Sequence, residues 1–137
     1  MTSRLRPDRE IRNVSELIFY IAGPMTNRRK FNYPMFTSAA ENVRAEFGAR
    51  VISPHELDHG DGGMLGTIPW EEYIRTDIEA LLQCDAIVLL PEWYESRGAR
   101  LECRIAAELG FYFFDYKEVN GKPRIKRRVE GNLDVLI

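Results

Sequence analysis

The sequence predicts one α/β domain, a parallel sheet of four to five strands with helices on both faces. Three observations carry that expectation. Short uninterrupted apolar runs, LIFYIA from Leu17 and AIVLL from Ala86, suit strands buried on both faces. Segments with helical spacing alternate with such runs, and alternation of this kind closes into a parallel sheet through right-handed crossovers. The 137 residues are enough for one sizeable core and too few for two.

Each element has its own local signal. The polar start MTSRLRPDREIRN lacks the apolar stretch of a signal peptide, so residues 1–16 are expected to form a flexible arm. The first strand ends at Gly23-Pro24. Pro34 then opens a helix in which Phe36, Ala39, Ala40, Val43 and Phe47 recur at helical spacing until Gly48 stops it. Arg50 to Ile52 is a short second strand, and Ser53-Pro-His-Glu56 has the pattern of a capping box. The glycines of HGDGGMLG allow only a brief turn after it. A second helix is expected over Trp70–Gln83, with Trp70, Ile74, Ile78, Leu81 and Leu82 on its apolar stripe. The strand at Ala86–Leu90, a loop to Arg97, a helix over Gly98–Leu109 and a strand at Phe111–Phe114 follow. The main domain is thus expected over residues 17–115, and residues 116–137 read as a tail with a hairpin turn at Asn120-Gly121 and a basic stretch from Lys122 to Arg128.

Composition narrows the partners. A net charge of −2 with 29% charged residues provides no general attraction to nucleic acid or to a membrane surface, and neither partner is expected. No apolar run approaches the length of a membrane span. Cys84 and Cys103 both lie in apolar periodic segments, which reads as buried thiols in a reducing compartment, the cytoplasm.

In an open parallel sheet, ligands bind beyond the carboxyl ends of the strands, so the loops after Gly23, Ile52 and Leu90 hold the candidate site. Glu102 has Gly98 and Ala99 one turn before it and Ile105 and Ala106 one turn after, with no charged partner at helical spacing. A carboxylate on such a small-residue face, near a helix start that keeps it ionised, has what a nucleophile needs. The competing reading is a structural ion pair. Asp77 repeats the anomaly on the apolar stripe of its own helix, and two inward carboxylates suit glycosidic chemistry. Gly23 would let a ligand approach the backbone, with Arg28, Arg29 and Lys30 following as phosphate contacts. Ser96 and Gly98 at a helix start would add a hydroxyl and free amides, unless Ser96 is simply the cap. Trp93 and Tyr94 are placed either to stack on a base or to close the fold. His55-Glu-Leu-Asp-His59 matches a zinc-protease pattern, but the glycines that follow deny it the long helix such a site requires, and no metal is expected.

The stretches YIAGPM, DIEALLQCDAIVLL and SRGARLECRIAAELG together resemble the nucleoside 2-deoxyribosyltransferase superfamily, including its deoxynucleoside 5′-monophosphate N-glycosidase branch. The likeness runs from about Leu17 to Phe114. It implies a flavodoxin-like sheet and catalysis through a glycosyl-enzyme ester, without metal or cofactor, on a small nucleoside or nucleotide. Carried over by position, it implies that Glu102 is the nucleophile and that Asp77 contacts the sugar and assists the leaving base. Tyr20 would line the site, Gly23 would belong to the phosphate-side loop, and Ser96 would match the serine six residues before the nucleophile. Pro24-Met25 stands where the hydrolases carry a serine-rich loop, and Met25 is a substrate-binding candidate there. The resemblance further implies a homo-oligomer. A catalytically silent nucleotide-sensing module is the alternative function.

Overall fold

The computed structural model describes residues 10–60 and 68–128. In chain order the regular elements are β1 (Ile18–Ala22), α1 (Tyr33–Phe47), β2 (Arg50–Ile52), α2 (Trp70–Leu81), β3 (Ala86–Leu89), α3 (Arg97–Glu108), β4 (Tyr112–Val119) and β5 (Lys122–Arg128). They form one five-stranded sheet in the order β2-β1-β3-β4-β5. The first four strands are parallel and β5 returns antiparallel along β4, so the architecture is α/β, as expected, and consistent with a flavodoxin-like or Rossmann-like fold.

Side-chain alternation along β1 divides the interior in two. Phe19 and Ile21 face one core with Val88 and Phe114, closed by Phe36, Ala39, Ala40 and Val43 of α1. There the Phe19 ring stacks on Phe47 with centroids 5.4 Å apart. Tyr20 and Ala22 face the opposite core with Ile87, Leu89 and Phe113, closed by Leu81 of α2 and by Ala99, Cys103, Ala106 and Ala107 of α3. That run of small residues lets α3 lie close to the sheet. It brings whatever α3 carries one turn along the same face against the inward side of β1. The two cysteines are free and buried, and burial pushes both thiols up to about 12.

Three expectations change. The fourth strand does not stop at Phe114 but continues to Val119, because Asn120 and Gly121 both take left-handed φ values, 53° and 76°, and fold the chain back as a tight hairpin. Arg128 closes the open end of that hairpin on Asp115, with Nε 2.9 Å from Oδ2, so the hairpin turn expected at Asn120-Gly121 is made and the basic stretch up to residue 128 is its edge strand. The arm expected over residues 1–16 is docked in its described part: Asn13 caps a 3-10 turn at Val14–Glu16, and Ile11 and Val14 pack on the α1 core. Residues 1–9 and 129–137 lie outside the described residues. The capping box is not made, since only a 3-10 turn follows Ser53; its hydroxyl lies 2.6 Å from Nδ1 of His55, and Glu56 pairs with Arg44 at 2.9 Å instead. Among the described residues, no helix is long and apolar enough to cross a membrane.

Gly23, at the end of β1, owes its missing side chain to packing. A Cβ there would lie 2.7 Å and 2.8 Å from Leu90 side-chain atoms, so Leu90 occupies the space attributed above to a ligand. Gly23→Ala is expected to cost about 1–3 kcal/mol by overpacking, read from urea denaturation.

Candidate functional site

Beyond the carboxyl ends of β1 and β3 opens a cavity of about 490 Å³. The loop after β1 forms one wall with Gly23, Met25 and Arg28; Trp70, Tyr73, Ile74 and Asp77 of α2 form another; Ser96, Gly98 and Glu102 of α3 complete it. The cleft therefore lies where a parallel sheet places its ligands.

Glu102 is set in the cleft by the small face of α3 and is only 3% exposed. Its Oε2 accepts a hydrogen bond from the hydroxyl of Tyr20, which reaches across from the inward side of β1 and is fully buried. The expected ionising effect of the helix start does not prevail. Glu102 lies in the second turn of α3, beyond the reach of the terminal dipole, and burial raises its carboxyl well above the usual range. The neighbouring Asp77 adds to that rise, and the Tyr20 hydrogen bond opposes it. Burial and the two carboxyls together hold the Tyr20 phenol well above its own ordinary value, so it keeps its proton and serves Glu102 as a donor.

Asp77 faces inward from α2 and is 5% exposed. Burial pushes its carboxyl up to about 6, against the opposing influence of His59. His59 Nε2 lies 2.6 Å from Asp77 Oδ1, and the imidazole is stacked on Tyr73 with ring centroids 3.8 Å apart and planes 1° from parallel. The Tyr73 hydroxyl in turn meets Met25 Sδ at 3.7 Å. The sequence pattern around His59 resembles half of a zinc motif, which conceals it as a site residue. The useful signal was Asp58-x-Gly60: the Asp58 carboxylate accepts from the Gly60 amide at 2.9 Å, and Gly60 at φ 78° turns the chain around His59. His55 takes different partners, with Nε2 3.1 Å from the Thr37 hydroxyl, so the two histidines do not form a pair.

The remaining candidates divide. Met25 and Arg28 border the cleft, but Arg28 is occupied by Glu95 at 2.6 Å and Glu92 at 3.6 Å. Ser96 borders it as well and is the helix cap, its Oγ accepting from the Ala99 amide at 3.1 Å. A Cβ on Gly98 would come 3.2 Å from Ile74 Cδ1, so this glycine permits the close approach of α2 and α3. Trp93 is not in the cleft wall. It faces inward from a 3-10 turn into the α2/α3 core, while Tyr94 is exposed. The aromatics in the wall are Tyr73 and Trp70, the latter with the Arg97 guanidinium 3.7 Å over its ring, where helical spacing predicts Trp70 on the apolar stripe.

The raised carboxyl of Glu102 carries a cost in stability. A carboxyl that binds its proton more tightly folded than unfolded loses stability as pH rises from the ordinary carboxylate range through its folded value. Glu102→Gln removes that loss while still accepting from Tyr20. It is expected to raise the thermal midpoint by roughly 3–5 °C at pH 8, with a gain that shrinks toward pH 4. Scanning calorimetry at the two pH values checks this.

Among curated proteins, none matches the chain. The family described as Domain of unknown function (DUF4406) matches residues 17–114, from the start of β1 into β4, and so includes Tyr20, His59, Asp77 and Glu102. The protein is a member of the DUF4406 family.

Proposed function

We propose that the protein cleaves or transfers the N-glycosidic bond of a nucleoside or its 5′-monophosphate through a glycosyl ester on Glu102. The observation that carries this reading is the Glu102 carboxyl, hydrogen-bonded by Tyr20 and buried in one cleft with a second carboxyl, Asp77. The resemblance to the nucleoside 2-deoxyribosyltransferases points to the same two residues.

The chemistry needs one proton between the two carboxyls. With that proton on Asp77, the Glu102 carboxylate attacks C1′, the C1′–N bond breaks, and Asp77 gives its proton to the departing base. In hydrolysis, Asp77 then takes a proton from water as the water oxygen attacks C1′, which frees the sugar and restores Glu102 as a carboxylate. A second base in place of water gives transfer. Tyr20 matters most while Glu102 is ionised, because its hydrogen bond favours that form. The Trp70–Arg97 stack offers the base a flat wall. A phosphate at Arg28 would have to displace two carboxylates, which favours nucleosides over 5′-monophosphates. Two buried thiols suit a reducing cytoplasm, and exposed Leu101 and Leu109 leave apolar surface on α3 for the homo-oligomer that the resemblance implies.

The second reading, a nucleotide sensor without turnover, is favoured by the bias of Glu102 toward its neutral form. A neutral carboxyl donates a hydrogen bond to a bound ligand but does not attack it.

A screen of nucleosides and 5′-monophosphates for free base, with and without an acceptor base, tests the proposal. Base release from at least one nucleoside, about 10-fold or more faster than from its monophosphate, is expected; binding without release from any of them would favour the sensor. Because the reactive form has one proton on the carboxyl pair, kcat/KM is expected to be bell-shaped in pH. Asp77→Asn is expected to remove its alkaline limb.

A further inference from the structure

We infer that His59 is a positioning residue for Asp77: its imidazole, laid flat on Tyr73, pins one carboxyl oxygen and leaves the other to the ligand in the cleft. The kinetic consequences rest on the N-glycosidase reading above, whereas the geometry does not.

The contact is buried from both ends, with the His59 side chain 1% and that of Asp77 6% exposed. One proton lies on the 2.6 Å line between Nε2 and Oδ1, whether the imidazole or the carboxyl donates. The parallel stack 3.8 Å from Tyr73 sets the plane of the imidazole, and that plane sets the direction from which Oδ1 is held. Tyr73 is steadied in turn, as a buried α2 residue touching Met25. Rotation of the Asp77 carboxyl would break its bond to His59. The other ionisable groups around Asp77 are Tyr73 on its own helix, Glu102 on α3 and Tyr20 on β1. Each of them is neutral or negative. Among the described residues His59 is the nitrogen-bearing side chain in hydrogen-bond contact with Asp77.

The consequence is a division of labour. Asp77 handles the proton of the leaving base, and His59 holds it at the angle from which that transfer is made. A ligand group meeting the free oxygen encounters a carboxyl that cannot swing away, as in other sites where an outer partner fixes the residue that does the chemistry.

Two substitutions test the assignment. His59→Phe keeps a ring against Tyr73 and removes the bond to Asp77; His59→Gln keeps an N–H donor and removes the imidazole. Titration of ¹³C-labelled aspartate by NMR reads Asp77 directly, with Asp77→Asn identifying its resonance. Asp77 is expected to titrate at least about one pH unit higher in His59→Phe than in the natural protein, with His59→Gln in between. In steady-state kinetics, His59→Phe is expected to lower kcat about 10–100-fold with KM nearly unchanged, and His59→Gln to recover most of that loss. An Asp77 titration that is the same in all three proteins overturns the inference, and so does a His59→Gln enzyme as slow as His59→Phe. If His59→Phe does not fold, the shift and the rate of His59→Gln decide alone. If the natural protein releases no base from any nucleoside, the glycosidase reading fails and the titration still decides the role of His59.

Discussion

The hydrogen bond from Tyr20 to Glu102 joins β1, an interior strand of the sheet, to the helix that covers it, and the rest of the site is arranged around it. It exists because β1 alternates, sending Tyr20 to the α3 side, and because Ala99, Cys103 and Ala106 let α3 approach closely enough for a carboxyl to be met. A buried carboxyl is expensive unless it is bonded or neutral. Here it is bonded by a phenol that holds its own proton and is raised by the burial that encloses both groups. The result is a carboxyl held deep at the floor of the cleft.

Asp77 has the same problem and a different solution. It meets an imidazole that is itself clamped on Tyr73, so the second carboxyl is fixed by an imidazole and the first by a phenol. Environments that differ in this way separate the roles of two otherwise similar groups. Two polar groups of the surrounding wall are already engaged: Ser96 caps α3 and Arg28 is paired with carboxylates. The carboxyl pair and the Trp70–Arg97 stack also line the cleft.

The fold was legible in the sequence because its signals are local. Apolar runs bounded by Gly23-Pro24 and by Pro91, and the helical spacing between them, suffice to place the parallel core. The extension of β4 was not legible, because its outer half, Asp115 to Val119, is mostly polar and is ordered by pairing with β5. Within the site, the inward direction of Glu102 and Asp77 followed from their neighbours on each helix. The upward shift of the Glu102 carboxyl did not, because it depends on depth below the surface and not on position along the helix. Tyr20 and Glu102 are 82 residues apart, and nothing in either local pattern couples them; helical spacing singles out Glu102, and the resemblance alone points to Tyr20. Trp93 and Trp70 exchanged roles for a related reason. A loop tryptophan turned inward to fill a core, and a helix tryptophan at the edge of its apolar stripe came to border the cleft.

Acid-quenched mass spectrometry, run after mixing the protein with a nucleoside whose base it releases, tests the central claim most directly. The account predicts a pentosyl increment on the peptide that contains Glu102, absent from Glu102→Gln, which should release no base. Base release by Glu102→Gln at the rate of the natural protein would contradict it.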